Sequence, residues 1–223
     1  MWGSEINTER LNVSAKIGYV FPDMPYQSFG FQNAFDSHNQ ESYFGNNLYN
    51  IKQSSYYSNL IFNSIINNTM NKFATGLNFT YDQYQEFVNV NDYSRIDNSV
   101  GAFFEYTYDN GDDFSVILGG RIDNHNRLGT FFTPRLHMRY NPWKNAVLRF
   151  SAGRGKRSAN IFAENQQLFA SSRSFDILDS NGKIYGLNPE IAWNYGLSFT
   201  QNFKFFGMNA DTTIDFYRTD FQN

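Results

Sequence analysis

Strict alternation of apolar and polar residues, repeated in segment after segment, is the feature that most limits what this chain can fold into. Leu11, Val13, Ala15, Ile17 and Tyr19 share one parity, and Asn12, Ser14, Lys16 and Gly18 share the other. Such a period of two places one face of a strand in an apolar medium and the other in water. The same pattern returns with Phe73, Leu77 and Phe79 against Ala74, Asn78 and Thr80, and again with Val100, Ala102, Phe104 and Tyr106 against Ser99, Gly101 and Glu105. After Asn110-Gly111, which predicts a tight hairpin turn built on consecutive positive-φ residues, Phe114, Val116, Leu118, Gly120 and Ile122 return along a partner strand.

Further strands are predicted at 9–21, around Phe29, Phe31 and Phe35, at 53–66, 131–141, 145–153, 189–201 and 208–219. In 53–66 both parities carry apolar residues, so the pattern leaves that strand's phase open. The count is about ten strands, each near the roughly 9 to 11 residues that a tilted strand needs to cross a bilayer. Short connections are predicted near 22–25, 67–70, 110–112, 141–144 and 202–206, and long ones near 39–50, 82–92, 124–130 and 156–187. Short turns on one side and long loops on the other are the habit of outer-membrane barrels.

Composition narrows the class. Aromatic residues make up 19% of the 223 residues while mean hydropathy is −0.54, a mixture suited to a surface that meets lipid on one side and water on the other. The best apolar run, Leu60-Ile61-Phe62, is broken at once by Asn63 and Ser64, so any membrane crossing here is made by strands. A net charge of −3 with no block of like charge lacks the footprint of a nucleic-acid binder. Cysteine is absent, which excludes disulfide scaffolds and thiolate metal sites.

If the short turns are periplasmic, both chain ends lie on the outer side. Residues 1–223 are then expected to be part of a barrel domain, with no signal peptide and no plug domain. The predicted fold is thus all-β: an antiparallel transmembrane β-barrel fragment of about ten strands in up-and-down hairpins.

Two stretches carry a family resemblance. Phe132-Thr133-Pro134-Arg135-Leu136, followed by Leu148-Arg149-Phe150-Ser151-Ala152-Gly153-Arg154-Gly155-Lys156-Arg157, resembles the barrel domain of TonB-dependent outer-membrane receptors. Gly186-Leu187-Asn188-Pro189-Glu190, running on through Trp193-Asn194-Tyr195-Gly196-Leu197, is similar to a loop-to-strand junction of that family. The aromatic-rich, Asn-rich style is similar to members from Bacteroidetes-type bacteria. The resemblance implies a plugged barrel of about 22 strands, whose circumference about ten strands cannot fill, so that this chain is expected to form an open half-barrel with unpaired first and last strands. It also implies a seat in the bacterial outer membrane, with lipid around it and the TonB complex as energy-coupling partner. A scarce small nutrient of the siderophore, cobalamin or glycan class is the implied ligand, and no nucleic acid is implied.

Other motifs read as ordinary strand and turn chemistry. Gly153-Arg154-Gly155-Lys156 lacks the earlier Gly and following Ser or Thr of a phosphate loop. His38, His125 and His137 have no partner at metal-ligand spacing, and Asp109, Asp112 and Asp113 flank a turn. No Ser, His and Asp set has a recognisable catalytic setting, so neither catalysis nor a cofactor is expected. A barrel enzyme of the outer membrane and a soluble β-rich binding module are the competing classes. Arg135, Arg139 and Arg149 sit on the polar parity and are expected to face a wet lumen. The 156–187 connection is long enough to be functional. Its neighbourhood supplies the candidate ligand contacts, Arg154, Arg157, Arg173 and Phe169, with Phe162 and Phe175 as further rings.

Overall fold

In the computed structural model, which describes residues 2–173, 177 and 183–222, the alternating segments become strands of one antiparallel sheet. They are β1 (Ser4–Phe21), β2 (Met24–Phe44), β3 (Asn47–Ile66), β4 (Asn68–Val88), the two-residue β5 (Asn91–Asp92), β6 (Arg95–Asp109), β7 (Phe114–His125), β8 (Gly129–Tyr140), β9 (Ala146–Arg157), β10 (Glu190–Phe205) and β11 (Met208–Phe221). Spatial order follows chain order, with β5 pairing only β4. Among the described residues nothing pairs β1 with β11, so the sheet is open, as expected for about ten strands of a wall of about 22. Helix α1 (Ile161–Glu164) and two 3-10 turns (Gln166–Ala170 and Ile184–Gly186) all fall between β9 and β10. Among the described residues no helix is long and apolar enough to cross a membrane, which has no bearing on crossing by strands.

Register shows why the sheet has two different faces. One cross-strand row reads Ile17–Phe31–Leu60–Leu77–Ala102–Ile122–Phe132 across β1, β2, β3, β4, β6, β7 and β8. The adjacent row, one residue along each strand and on the opposite face, reads Lys16–Gln32–Asn59–Asn78–Gly101–Asp123–Phe131. Leu77, Val100, Phe104, Leu118 and Ile122 are each about half exposed on the first face. A soluble monomer rarely shows a contiguous apolar patch beyond a few hundred Å², and this one runs the width of the sheet. Lipid satisfies such a face, while the paired ladders satisfy the backbone groups that hydrocarbon cannot.

The register settles the phase of β3: Tyr56, Ser58, Leu60 and Phe62 join the apolar face, and Ile61 and Ile65 turn to the wet one. It also corrects three of the loop lengths. The stretches 39–50, 82–92 and 124–130 are largely strand, closed by short turns at 45–46, 89–94 and 126–128. Their Asn, Gln and Ser residues are compatible with pairing, because β2 and β4 run to 21 residues and continue well past the length that a bilayer requires. Among the described residues only the β9–β10 connection is long. The hairpin at Asn110-Gly111 differs from expectation as well. Gly111 alone has positive φ (80°), and the turn widens to 110–113 because Asn110 Oδ1 accepts the amides of Asp112 and Phe114. Consecutive positive-φ residues occur instead at Phe206 (49°) and Gly207 (80°).

Candidate functional site

The turns at 45–46, 89–94 and 126–128 lie at the same end of the sheet as the long β9–β10 connection, here called the mouth. That connection folds back onto the wet face. Phe162, Phe169, Ile184 and Tyr185 are buried against Tyr49 and Ile51 of β3 and Val88 of β4, forming the principal apolar core of the molecule. Phe169 stacks on Tyr49 with ring centroids 5.2 Å apart, and Phe162 meets Tyr93 at 4.7 Å and Tyr185 edge-on at 5.2 Å. An open wall of strands has no interior of its own, so these rings supply what core there is.

Beside the rings lies a buried polar network. Glu86 of β4 and Arg95 of β6 form an ion pair at 2.7 Å with side-chain exposures of 1% and 6%. Tyr49 Oη donates to Glu86 Oε1 at 3.0 Å, and Tyr185 Oη donates to Glu86 Oε2. The Arg95 guanidinium also donates to Tyr185 Oη (2.7 Å), Asn160 Oδ1 (2.7 Å) and Asp97 Oδ2 (3.1 Å), and lies over the Tyr84 ring at 3.9 Å. Arg127 Nε sits 3.0 Å from Asp97 Oδ1. Buried charge is tolerable only when paired and hydrogen-bonded, and here the loop itself, through Asn160 and Tyr185, completes the pairing. Burial, with Glu86 beside it, pushes the Tyr185 hydroxyl well above the usual tyrosine range, so it remains a donor. Tyr185 pays for this position with a left-handed backbone, φ 51°, immediately before Gly186 at 75°.

Further down the wet face, glycines in a middle strand let side chains of the two flanking strands meet. Glu105, Gly119 and Arg135 form one cross-strand row, and a Cβ on Gly119 would lie 2.8 Å from the Arg135 stem. Arg135 thereby crosses β7 to pair with Glu105. Asp123 and Asn78 approach each other over Gly101 in the same manner, and Arg121 donates to Asp123 at 2.8 Å. Of these, Glu105, Arg121 and Arg135 line a cleft of about 310 Å³ together with Tyr57, Thr133 and Arg154.

The four candidate ligand contacts do not converge on one point. Arg154 places its guanidinium over the Phe131 ring at 4.5 Å and donates to Gln222. Arg157 is bound by Glu164 (2.9 Å) and Glu190 (2.8 Å), bracing the two ends of the loop. Phe169 is only 2% exposed and belongs to the core. Arg173 is exposed, and its side chain has no partner among the described residues. Phe162 is fully buried, and Phe175 lies outside the described residues. Sequence reading passed over Glu86, Arg95, Asp97, Tyr49 and Tyr185. One signal was available: extending the Ser99 and Gly101 parity back along β6 puts Asp97 and Arg95 on the wet face. Among the described residues no group of side chains is arranged to hold a metal ion.

No curated protein matches the sequence. Among solved structures, the siderophore receptor PirA from Pseudomonas aeruginosa superposes with a TM-score of 0.72 at 14% identity, over 98% of this chain and 40% of its own. A mutant of the ferric enterobactin receptor PfeA from the same organism gives 0.73 at 12% identity, over 98% and 35%. The Serratia marcescens hemophore receptor HasR, solved with its hemophore and heme, gives 0.72 at 12% identity, over 98% and 40%. At these identities the likeness establishes the fold, and the chain spans well under half the length of each receptor. The family model for the TonB-dependent receptor-like β-barrel matches residues 3–223, so this chain belongs to the β-barrel family of the TonB-dependent receptors, proteins of the Gram-negative outer membrane.

Proposed function

We propose that this chain forms wall and mouth of an outer-membrane receptor that binds a scarce small nutrient and passes it inward without covalent chemistry. The ligand belongs to the siderophore, cobalamin or glycan class, and the TonB complex is the partner that drives release. The observation that carries this reading is the loop between β9 and β10, seated on the wet face by the Glu86–Arg95–Tyr185 network. Its described residues place a surface at the mouth of a wall whose other face suits lipid. Ligand contact falls to Arg173 and Arg154, with Arg157 bracing the loop and Phe169 forming the floor beneath it.

Solved neighbours include a siderophore receptor, a hemophore receptor and a copper transporter, which supports uptake as the shared role while leaving the cargo of this chain to experiment. The test is whole-cell uptake of a labelled ferric siderophore, cobalamin and an oligosaccharide, in strains with and without the intact receptor and with and without TonB. Loss of uptake of one class in both deletions is the expected result. Unchanged uptake of all three on receptor deletion would overturn the proposal for these classes.

A further inference from the structure

The hairpin of β8 and β9 is electrically unlike the rest of the chain. Residues 129–157 hold seven of the 18 Lys and Arg residues and no Asp or Glu, in a protein of net charge −3. Arg135 is neutralised by Glu105 across Gly119. Four residues further along β8 the arrangement changes. The row there reads Asp109–Ser115–Arg139–Arg149–Ser198–Asp215 across β6, β7, β8, β9, β10 and β11. Two arginines stand directly opposite each other, a cross-strand arrangement that is destabilising for like charges. Ser115 and Ser198 occupy the places where glycine lets Arg135 through to its acid, and neither Arg139 nor Arg149 forms an ion pair or hydrogen bond among the described residues.

Around this pair lies a cleft of about 350 Å³ on the wet face, lined by Ser115, His137, Ser151, Ser198 and Tyr217. The two guanidinium groups can only donate and the hydroxyls around them can donate as well, while no carboxylate among the described residues lines the cleft, a setting suited to charge-assisted hydrogen bonds to an oxyanion.

We propose that Arg139 and Arg149 flank a binding station for an oxyanion, carboxylate or phosphate in chemistry, on the wet face toward the end opposite the mouth. As a step in uptake this rests on the receptor reading above, and makes the cargo an anionic solute. Anion binding itself is measured without transport, so the two readings fail separately.

The intact receptor, purified in detergent micelles at low ionic strength, is titrated with pyrophosphate by calorimetry. Saturable binding is expected, weakened about tenfold or more in Arg139→Gln/Arg149→Gln, because two charge-assisted contacts are removed. It should be unchanged in Arg218→Gln, whose residue lies on the opposite face and pairs with Asp220. Should the double variant fail to insert, each single Gln variant carries the same test, with about a threefold loss expected. Equal binding by wild type and the Arg139 and Arg149 variants would overturn the assignment. Absence of binding to the wild-type receptor would also overturn it, and would assign the neutralising role to a carboxylate from another polypeptide segment.

Discussion

Replacing Arg95 by Met tests whether the β9–β10 loop is held by charge as well as by rings. The side chains of Glu86 and Arg95 are 1% and 6% exposed, so removal of the cation strands a carboxylate out of water with only the Tyr49 and Tyr185 hydroxyls as donors. Removing one partner of a buried ion pair costs about 3 to 5 kcal/mol, more than the pair contributes when intact. The strands are each held by ladders on both sides, except at the sheet edges, whereas the loop is held by its rings, by Arg95 and by more exposed polar contacts such as Asn47 to the Phe169 carbonyl and Arg157 to Glu164. Loop detachment, which lets water reach Glu86, is therefore the response with least loss of structure. A cost near 3 kcal/mol raises the opening equilibrium roughly a hundredfold. Hydrogen exchange reads this at the amides of Glu164, Asn165 and Leu168, which donate to carbonyls within the loop. They should exchange about a hundredfold faster, while the amides of β6 and β7 stay protected. Glu86→Gln in the Arg95→Met background should restore much of the protection, since the stranded Glu86 charge is then gone and Asp97 keeps Arg127 as its partner. Unchanged exchange at those three amides, or an equal loss in the strands, would refute the reasoning.

Three further outcomes follow from the two faces. Leu118→Arg should cost about 2 to 4 kcal/mol in folding of the intact receptor into lipid vesicles and Ser115→Arg much less; a larger penalty at Ser115 would invert the assignment of lipid and lumen. Gly119→Val should block Arg135 from Glu105, so that Glu105→Gln, costing about 1 kcal/mol or less alone at this partly exposed pair, costs nothing further in that background, as read by thermal unfolding. His125 Nδ1 accepts the amides of Arg127 and Leu128, and burial holds its pKa below the usual 6.5. Neutral His125 is thus the form the fold prefers, and protection of those two amides should be complete above pH 6.5 and decline as pH falls below it, unless His125 is replaced by Ala.

How much of this was legible in the residues depends on the range of the interaction concerned. Leu77 and Asn78 announce their faces by local alternation, because a strand's side-chain period is fixed by backbone geometry. The strand ends were not legible in the same way. Gln40, Ser42 and Asn50 look like loop residues to any rule based on polarity, yet their backbones pair because the ladder outruns the membrane. The buried network was hidden for another reason: Tyr185 lies 99 positions from Glu86 and 90 from Arg95. Nothing local marks that meeting, which exists only once β4 and β6 are neighbours and the loop has turned inward. Glycine carried the most misleading signal, since Gly101, Gly119 and Gly196 fit the polar parity simply as small residues. In the sheet each is the gap over which two strands' side chains meet: Asn78 with Asp123, Glu105 with Arg135, and Ser151 with Tyr217. Where serine replaces glycine in that middle position, as at Ser115, the arginine beyond it stays unpaired. The placement of glycine among the wet-face residues thus decides which arginines of this wall are neutralised within the sheet and which remain available to something in the lumen.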